Sequence, residues 1–322
     1  MIAVVCLNPA LDVTHQVAAV DWSGVNRPTA VHARPGGKGL NVARTLRALG
    51  AQVLVLGLAG GVTGEAVSAA LRELGVPAGF TGVSGETRRT FTVVDQRRGR
   101  SALFNEPGPV VTAGEFGSFA VRYERALAGC AAVVLSGSLP PGVPADAYAT
   151  LTRLAAAADV PVVLDSHGEA LRLGAAAGPA VVKPNLAELE ALAGRPLTTP
   201  DGADRRAVAQ AARELRAAGP GAVVVTLGAD GLHADTGEGS WRAVPPGAVA
   251  GNATGAGDSV AAGLAHGLVL GRPWDERLRH AVALGTAAAG APVAGEFDYA
   301  DYTRALAAVT VHADTVHSGG AG

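Results

Sequence analysis

Two glycine-rich stretches carry the residues whose types and spacing can do chemistry. The first, Gly251-Asn-Ala-Thr-Gly-Ala-Gly-Asp-Ser259, runs into the apolar segment Val260–Leu270. Gly255 and Gly257 allow a tight turn with uncovered backbone N–H groups, and a helix starting there aims them outward at its positive dipole end. Such a turn is an anion hole suited to phosphate. Asp258 is then the odd residue. A carboxylate beside a phosphate is repelled, unless its task is to take a proton from an incoming hydroxyl. Phosphoryl transfer needs those two parts, stabilisation of charge on the moving group and a base that orients the nucleophile. The competing structural reading is that Asp258 only caps the helix.

The second stretch is Arg34-Pro-Gly-Gly-Lys-Gly-Leu-Asn-Val-Ala-Arg44. A glycine turn opens a helix whose first turn carries Lys38 and Asn41. Gly36 and Gly37 let the backbone approach a polyol, and Asn41 and Asp12 can pair with its hydroxyls. The plainer alternative is a helix start with a solvated lysine. Neither stretch is a dinucleotide fingerprint, because position 260 is Val. Neither is a Walker A loop, because Gly39 follows Gly36-Gly37-Lys38 and position 32 is His. A nicotinamide-dependent dehydrogenase is therefore disfavoured.

The elements that must position these residues alternate. Short β-branched runs at Ile2–Leu7, Gln52–Leu58, Ala131–Leu135, Pro161–Leu164, Ala180–Val182 and Ala222–Thr226 read as strands buried on both faces. Between them, Leu40–Leu49, Glu65–Leu74, Ala145–Ala158 and Arg205–Ala217 have helical spacing. Alternation of this kind predicts a parallel sheet with helices on both faces, and ligands outside the carboxyl ends of its strands. Asp12–Arg34 and Arg88–Phe104 break the rhythm with partial alternation. They read as inserted antiparallel strands, a small lid over the strand ends.

Composition bounds the class. The chain has 322 residues, 48% apolar but only 4% aromatic, so Ala, Val and Leu must build the core. The net charge of −2 lacks the basic surplus of a nucleic-acid binder. Cys6 and Cys130 each sit in an apolar run and read as buried thiols. Two cysteines and eight scattered histidines give no disulfide framework or zinc spacing. His312 and His317 are expected on a solvated tail, His312–Gly322. The apolar stretch at the N-terminus has no basic leader and breaks at Asn8-Pro9, so no signal peptide is expected. Ala281–Val293 is too short and Pro292 interrupts it, so no membrane span is expected. A cytoplasmic protein is the expectation.

With both glycine clusters present, the sequence resembles the ribokinase-like PfkB family of sugar kinases. The resemblance covers nearly the whole chain in the family's motif order. Gly36-Gly37-Lys38-Gly39 with Asn41 matches one family signature, and Thr254-Gly255-Ala256-Gly257-Asp258 the other. It implies a ribokinase-like α/β fold: a central, mostly parallel sheet with helices on both faces and a small β-sheet lid. It also implies one kinase domain over 1–322, with lid strands inserted at about 12–34 and 88–105. By the same resemblance Asp258 is the catalytic base, and the Gly255, Ala256 and Gly257 turn forms the anion hole.

Asn8-Pro-Ala-Leu-Asp12, Gly85-Glu-Thr-Arg88, Asn105-Glu-Pro-Gly-Pro109 and Ser136-Gly-Ser-Leu-Pro-Pro-Gly142 look like the phosphosugar branch of that family. That branch holds 1-phosphofructokinase, tagatose-6-phosphate kinase and the minor 6-phosphofructokinase, and Asn105-Glu-Pro-Gly-Pro109 leans toward the first. The implied reaction is ATP-dependent phosphorylation of a ketohexose phosphate, foremost fructose 1-phosphate to fructose 1,6-bisphosphate. Tagatose 6-phosphate or fructose 6-phosphate is the alternative substrate. A non-catalytic sugar-phosphate sensor is the alternative of another class, disfavoured because anion hole and base are both intact. A substrate that already carries phosphate needs fixed positive charge. Arg88 matches the family there, aided by Lys38 and Ser138, with Asp12, Gly36, Gly37, Asn41 and Asn105 also on the substrate side. Arg89 should face the other way from Arg88.

On the ATP side, Lys183-Pro-Asn185-Leu-Ala-Glu188 matches the family's Asn-x-x-Glu element, which places Mg²⁺ through its water shell. An N-cap and a first-turn acid would look the same. Thr226, Gly228 and Gly231 look like the family's nucleotide loop, and Ala287, Ala288, Ala289 and Gly290 its adenine pocket. Asn252 stands where many relatives carry an acid tied to a monovalent-cation site, which argues against potassium activation. The family's exposed lid edges imply a homodimer through the lid.

Overall fold

The computed structural model describes residues 1–200, 202–247, 254–291 and 293–314. Its strands are β1 (Ile2–Cys6), β2 (Ala10–Val17), β3 (Ala30–Gly36), β4 (Val53–Ala59), β5 (Ala78–Gly82), β6 (Arg88–Asp95), β7 (Arg100–Asn105) and β8 (Ala132–Ser136). Then follow β9 (Val162–Asp165), β10 (Val181–Val182), β11 (Thr198–Thr199), β12 (Gly202–Ala203), β13 (Val223–Thr226), β14 (Leu232–Thr236), β15 (Gly239–Val244) and β16 (Thr310–Asp314). The helices are α1 (Lys38–Ala48), α2 (Gly61–Glu73), α3 (Ala113–Leu127), α4 (Ala147–Ala157) and α5 (Gly168–Ala176). After them come α6 (Leu186–Ala193), α7 (Arg205–Ala217), α8 (Ala256–Val269), α9 (Trp274–Gly290) and α10 (Tyr299–Ala308).

All six expected strands join one ten-stranded sheet, ordered β16-β15-β14-β13-β10-β9-β8-β1-β4-β5. From β13 to β5 every neighbouring pair is parallel. β14, β15 and β16 extend the sheet as an antiparallel edge. The pleat divides β1 between two cores: Ile2, Val4 and Cys6 pack with α1, α8 and α9, while Ala3 and Val5 pack with α3 and α4. Burial on both faces explains why these strands read as unbroken apolar runs.

The two lid inserts form a separate four-stranded sheet, β3-β2-β6-β7. Each insert is an antiparallel hairpin as expected, but the two hairpins meet through β2 and β6, which pair parallel from Ala10↔Arg88 to Val17↔Asp95. The reason is connectivity. β2 and β6 leave the same ends of the parallel strands β1 and β5, so they start out in one direction.

Two further expectations need correction. His312 is not in a tail: it lies in β16, opposite Arg242, because the β15 edge offers unpaired backbone groups. Only the end of that segment, with His317, falls outside the described residues, as do Pro292 and Asn252. Cys6 is buried and its thiol is pushed up to about 11 by burial, but Cys130 is only half-buried. Among the described residues no helix is long and apolar enough to cross a membrane.

α8, which carries the glycine turn, is tied to its neighbours by a histidine pair. His266 Nδ1 lies 3.2 Å from His280 Nε2, and His280 Nδ1 lies 2.8 Å from the Tyr302 hydroxyl. His280 is buried, and burial, with Arg272 and His266 adding, holds its pKa down at about 3. The native state therefore keeps it neutral, whereas the unfolded chain binds a proton below about pH 6.5. Its contribution to stability is full above that pH and falls as pH drops toward about 3. Between pH 7 and pH 5 the loss through this group should be about 2 kcal/mol. Urea unfolding at both pH values checks this: His280→Phe should lose that much less stability than the parent, and equal losses would remove the group from the account.

Candidate active site

α8 starts where the sequence expects it. Gly255 has φ 88°, and a Cβ there would sit 2.8 Å from Ala294 Cβ, so only glycine fits. The N-cap is Gly255, and among the described residues Asp258 makes no capping hydrogen bond, so the capping reading of Asp258 fails. Instead Asp258 points inward from the first turn, 6% exposed, and accepts a hydrogen bond from Asn41 Nδ2 at 2.8 Å. Arg44 Nη2 donates to Asn41 Oδ1 at 2.7 Å, which fixes the amide with its NH₂ toward the carboxylate. Burial, then the charge of Asp165, raises the Asp258 pKa to about 6, against the opposing effects of Asn41, Lys38 and Lys183. A carboxylate so placed is ionised near neutrality yet basic enough to accept a proton. Asn41, expected on substrate hydroxyls, thus orients Asp258.

Beside it lies a cluster of alternating charge. Asp165 ends β9 with no solvent exposure, and its Oδ1 is 3.2 Å from Lys183 Nζ and 3.4 Å from Lys38 Nζ. Lys38 also lies 3.9 Å from Glu188 Oε1. Burial lowers the Lys38 pKa, but Asp165, Glu188 and Asp258 more than offset it, so the net shift is upward. The position of a Cβ on Gly257 would be 3.6 Å from Lys183 Nζ, which sets that ammonium against the first turn of α8. Asp165 is the residue that sequence reasoning missed. Its signal is faint: an acid closing the otherwise apolar strand Val162-Val-Leu-Asp165.

The other end of the cleft is framed by the lid. Gly37, φ 99°, opens α1. Gly36 does not line the cleft; it has no Cβ because the Asp12 carboxylate fills that space, at 1.9 Å. Thr90 Oγ1 donates to Asp12 Oδ1 at 2.6 Å, and burial raises the Asp12 pKa. Arg88 lines the cleft and donates to the carbonyls of Asn8 (3.2 Å) and Glu106 (3.3 Å). Arg89 turns away to Thr63, as the pleat requires. Asn105 lines the cleft, whereas Ser138 stands outside its lining and accepts from Asn8 Nδ2 at 3.1 Å. Lys38 and Arg88, assigned together to one phosphate, therefore have different partners: Lys38 belongs to the carboxylate cluster.

Thr226, Gly228 and Gly231 line the third part of the cleft. Gly231 is forced, since a Cβ would meet Ala243 O at 2.1 Å. On α9 the expected adenine residues are mostly wrong. Ala287 and Ala288 are core; the helix period instead presents Val282, Gly285, Thr286 and Ala289. Asn185 and Glu188 form a capping box, each side chain accepting the other's backbone N–H at 2.8 Å. Among the described residues no three ligating groups gather to hold a metal directly. Asp165 Oδ2 is buried with no hydrogen-bond partner among the described residues, and Glu188 Oε1 shares the Lys38 ammonium with Asp165. That donor set fits Mg²⁺, which needs only one or two carboxylates besides waters and substrate phosphates.

All three parts open into one cleft of about 1400 Å³ at the carboxyl ends of the parallel strands. It offers a buried carboxylate, fixed cations and a glycine turn at a helix start. The profile of the "pfkB family carbohydrate kinase" matches residues 4–298. A curated 1-phosphofructokinase of Rhodobacter capsulatus is 38% identical over 290 residues, 90% of either chain. Escherichia coli phosphofructokinase-2 superposes with TM-score 0.88 at 32% identity in its complex with potassium. In its complex with fructose-6-phosphate the TM-score is 0.85 at 33% identity; either comparison covers 95% of this chain and 98% of the other. With sequence, fold and site geometry in agreement, this chain belongs to the pfkB family of carbohydrate kinases.

Proposed function

We propose that the chain is a single kinase unit that phosphorylates fructose 1-phosphate with MgATP, giving fructose 1,6-bisphosphate and ADP. The observation that carries this reading is the buried Asp258 carboxylate, oriented by Asn41, in one cleft with Arg88. The sugar phosphate lies under the lid with Asp12 and Gly37 on its hydroxyls and the Arg88 guanidinium on its phosphate. ATP lies along Thr226, Gly228 and Gly231, against the exposed face of α9. Asp258 takes the proton of the free primary hydroxyl as its oxygen attacks the γ-phosphorus in line. The N–H groups from Gly255 to Asp258, with Lys183 and Lys38, stabilise the charge that develops on the moving phosphoryl. Asp165 and Glu188 would hold the hydrated Mg²⁺, which neutralises charge on the ATP phosphates. The lid sheet excludes water and so suppresses ATP hydrolysis.

Rates of ADP release with fructose 1-phosphate, tagatose 6-phosphate, fructose 6-phosphate and free fructose test the substrate. A kcat/KM preference of roughly 100-fold for fructose 1-phosphate is expected, about 2.7 kcal/mol in transition-state binding. A preference for another sugar overturns the choice of substrate. Arg88→Ala should raise KM for the phosphosugar roughly 10- to 100-fold, from loss of about 1.5–3 kcal/mol of charged hydrogen bonding. Its kcat should change little; an unchanged KM removes Arg88 from the phosphate.

A homodimer through the lid completes the proposal. β3 and β7 are both open edges, and Val31 (55% exposed) and Phe104 (54%) stand on them. Sedimentation of the purified chain reads this directly. The reaction belongs in the cytoplasm, where ATP and sugar phosphates are held.

A further inference from the structure

A second cavity, of about 620 Å³, lies between α7 and the antiparallel edge of the main sheet. Among the described residues it shares only Leu227 with the lining of the large cleft. Its volume lies in the range of small-molecule sites. The basic residues of its lining meet for a topological reason. The register of β14, β15 and β16 sets His233, Arg242 and His312 side by side across three strands, on one face of the sheet. α7 brings Arg205, Arg206 and Arg213 to the same cavity. Among the described residues one carboxylate, Asp230, stands with them.

Apart from Arg213, which donates to Gln210 and lies near Glu214, these guanidiniums differ from the other charges around α7. Arg216 pairs with Asp235, Glu214 pairs with Arg195, and the Asp204 side chain caps the helix. Arg205, Arg206 and Arg242 have no ion pair among the described residues, although the whole chain carries 28 acidic residues against 26 Lys and Arg. Like charges around a concave wall repel one another, and low-dielectric walls focus their field on whatever enters. An anion with several charged oxygens relieves that repulsion, and guanidinium forks match phosphate oxygens two at a time.

We propose that this cavity is a binding site for a small polyanion of the phosphate-ester or polyphosphate class, separate from the catalytic cleft. The site is assembled by Arg205, Arg206 and Arg213 from α7 and by Arg242 from β15. Calorimetric titration of the full chain with inorganic tripolyphosphate tests it. The catalytic cleft also attracts this anion, so two classes of site are expected in the parent. Arg206→Ala with Arg242→Ala should weaken one class by roughly 10-fold or more, the loss of a charge-assisted contact. The turnover and KM of that double variant should stay at parent values, which also shows that it folds. Arg125→Ala with Arg153→Ala, which removes the same charge from the exposed surfaces of α3 and α4, should leave both classes intact. A single class in the parent, an unchanged isotherm in Arg206→Ala/Arg242→Ala, or equal weakening in both double variants overturns the proposal.

Discussion

Replacing Asp258 with Asn is expected to lower kcat by roughly 10²- to 10⁴-fold, the range that a general base contributes. Asn keeps the size and can still accept the hydrogen bond from Asn41, so what is lost is the proton acceptor. The same variant should be no less stable than the parent. The Asp258 pKa is raised to about 6 in the fold from 3.8, so the folded chain holds the proton more tightly. Its favourable contribution is full below 3.8 and is lost as pH rises through about 6. At neutral pH the ionised carboxylate is therefore a net cost, which a neutral amide removes. For the parent, kcat/KM should fall below about pH 6, tenfold per pH unit, as the base protonates. Steady-state ADP release over that range and a melting curve read both effects. A variant with near-parent turnover, or one whose acid limb persists unchanged, refutes the role.

Asp165→Asn carries the largest expected effect on stability. Lys183 is buried, with 4% of its side chain exposed, and Asp165 is the carboxylate beside it. Removing one partner of a buried pair leaves an uncompensated charge and costs about 3–5 kcal/mol. Lys183→Met should cost less, because the Lys38 ammonium, 3.4 Å away, still faces the carboxylate. The double variant removes both charges and should recover most of the loss, so the two single effects will not add. Urea midpoints for the four proteins measure the coupling, and additive effects would mean that the pair is not a unit. Activity should not return with stability. In the double variant the Lys183 ammonium no longer faces Gly257 at the start of α8, where the proposed mechanism puts the charge of the moving phosphoryl.

The parts legible in the sequence are those set by short-range physics. Apolar runs gave six of the seven parallel strands, helical spacing gave α7 to both its ends, and glycine turns marked the starts of α1 and α8. Asp258, Asn41 and Arg88 were legible because a motif of fixed spacing carries each. Asp165 was not, because a single acid after three apolar residues has no local pattern. Its meaning depends on Lys38 and Lys183, more than a hundred and about twenty residues of chain away in opposite directions. The parallel meeting of the lid hairpins was hidden for the same reason, since only the directions of β1 and β5 fix it.

What the sequence by itself determined, then, is the class of element in the segments with a clear period, and where two glycine turns open helices. Backbone conformational preference and side-chain period act within a few residues, and those act wherever the segment sits. Only the tertiary structure decided which charges share a site. It set the Asn41 amide against the Asp258 carboxylate, and the Lys38 ammonium beside Asp165 and Glu188. It also raised the Asp258 pKa to about 6. Each of these is an effect of burial and of charges brought close through space. Such terms depend on distance and solvent exclusion, neither of which is written in the order of residues along the chain.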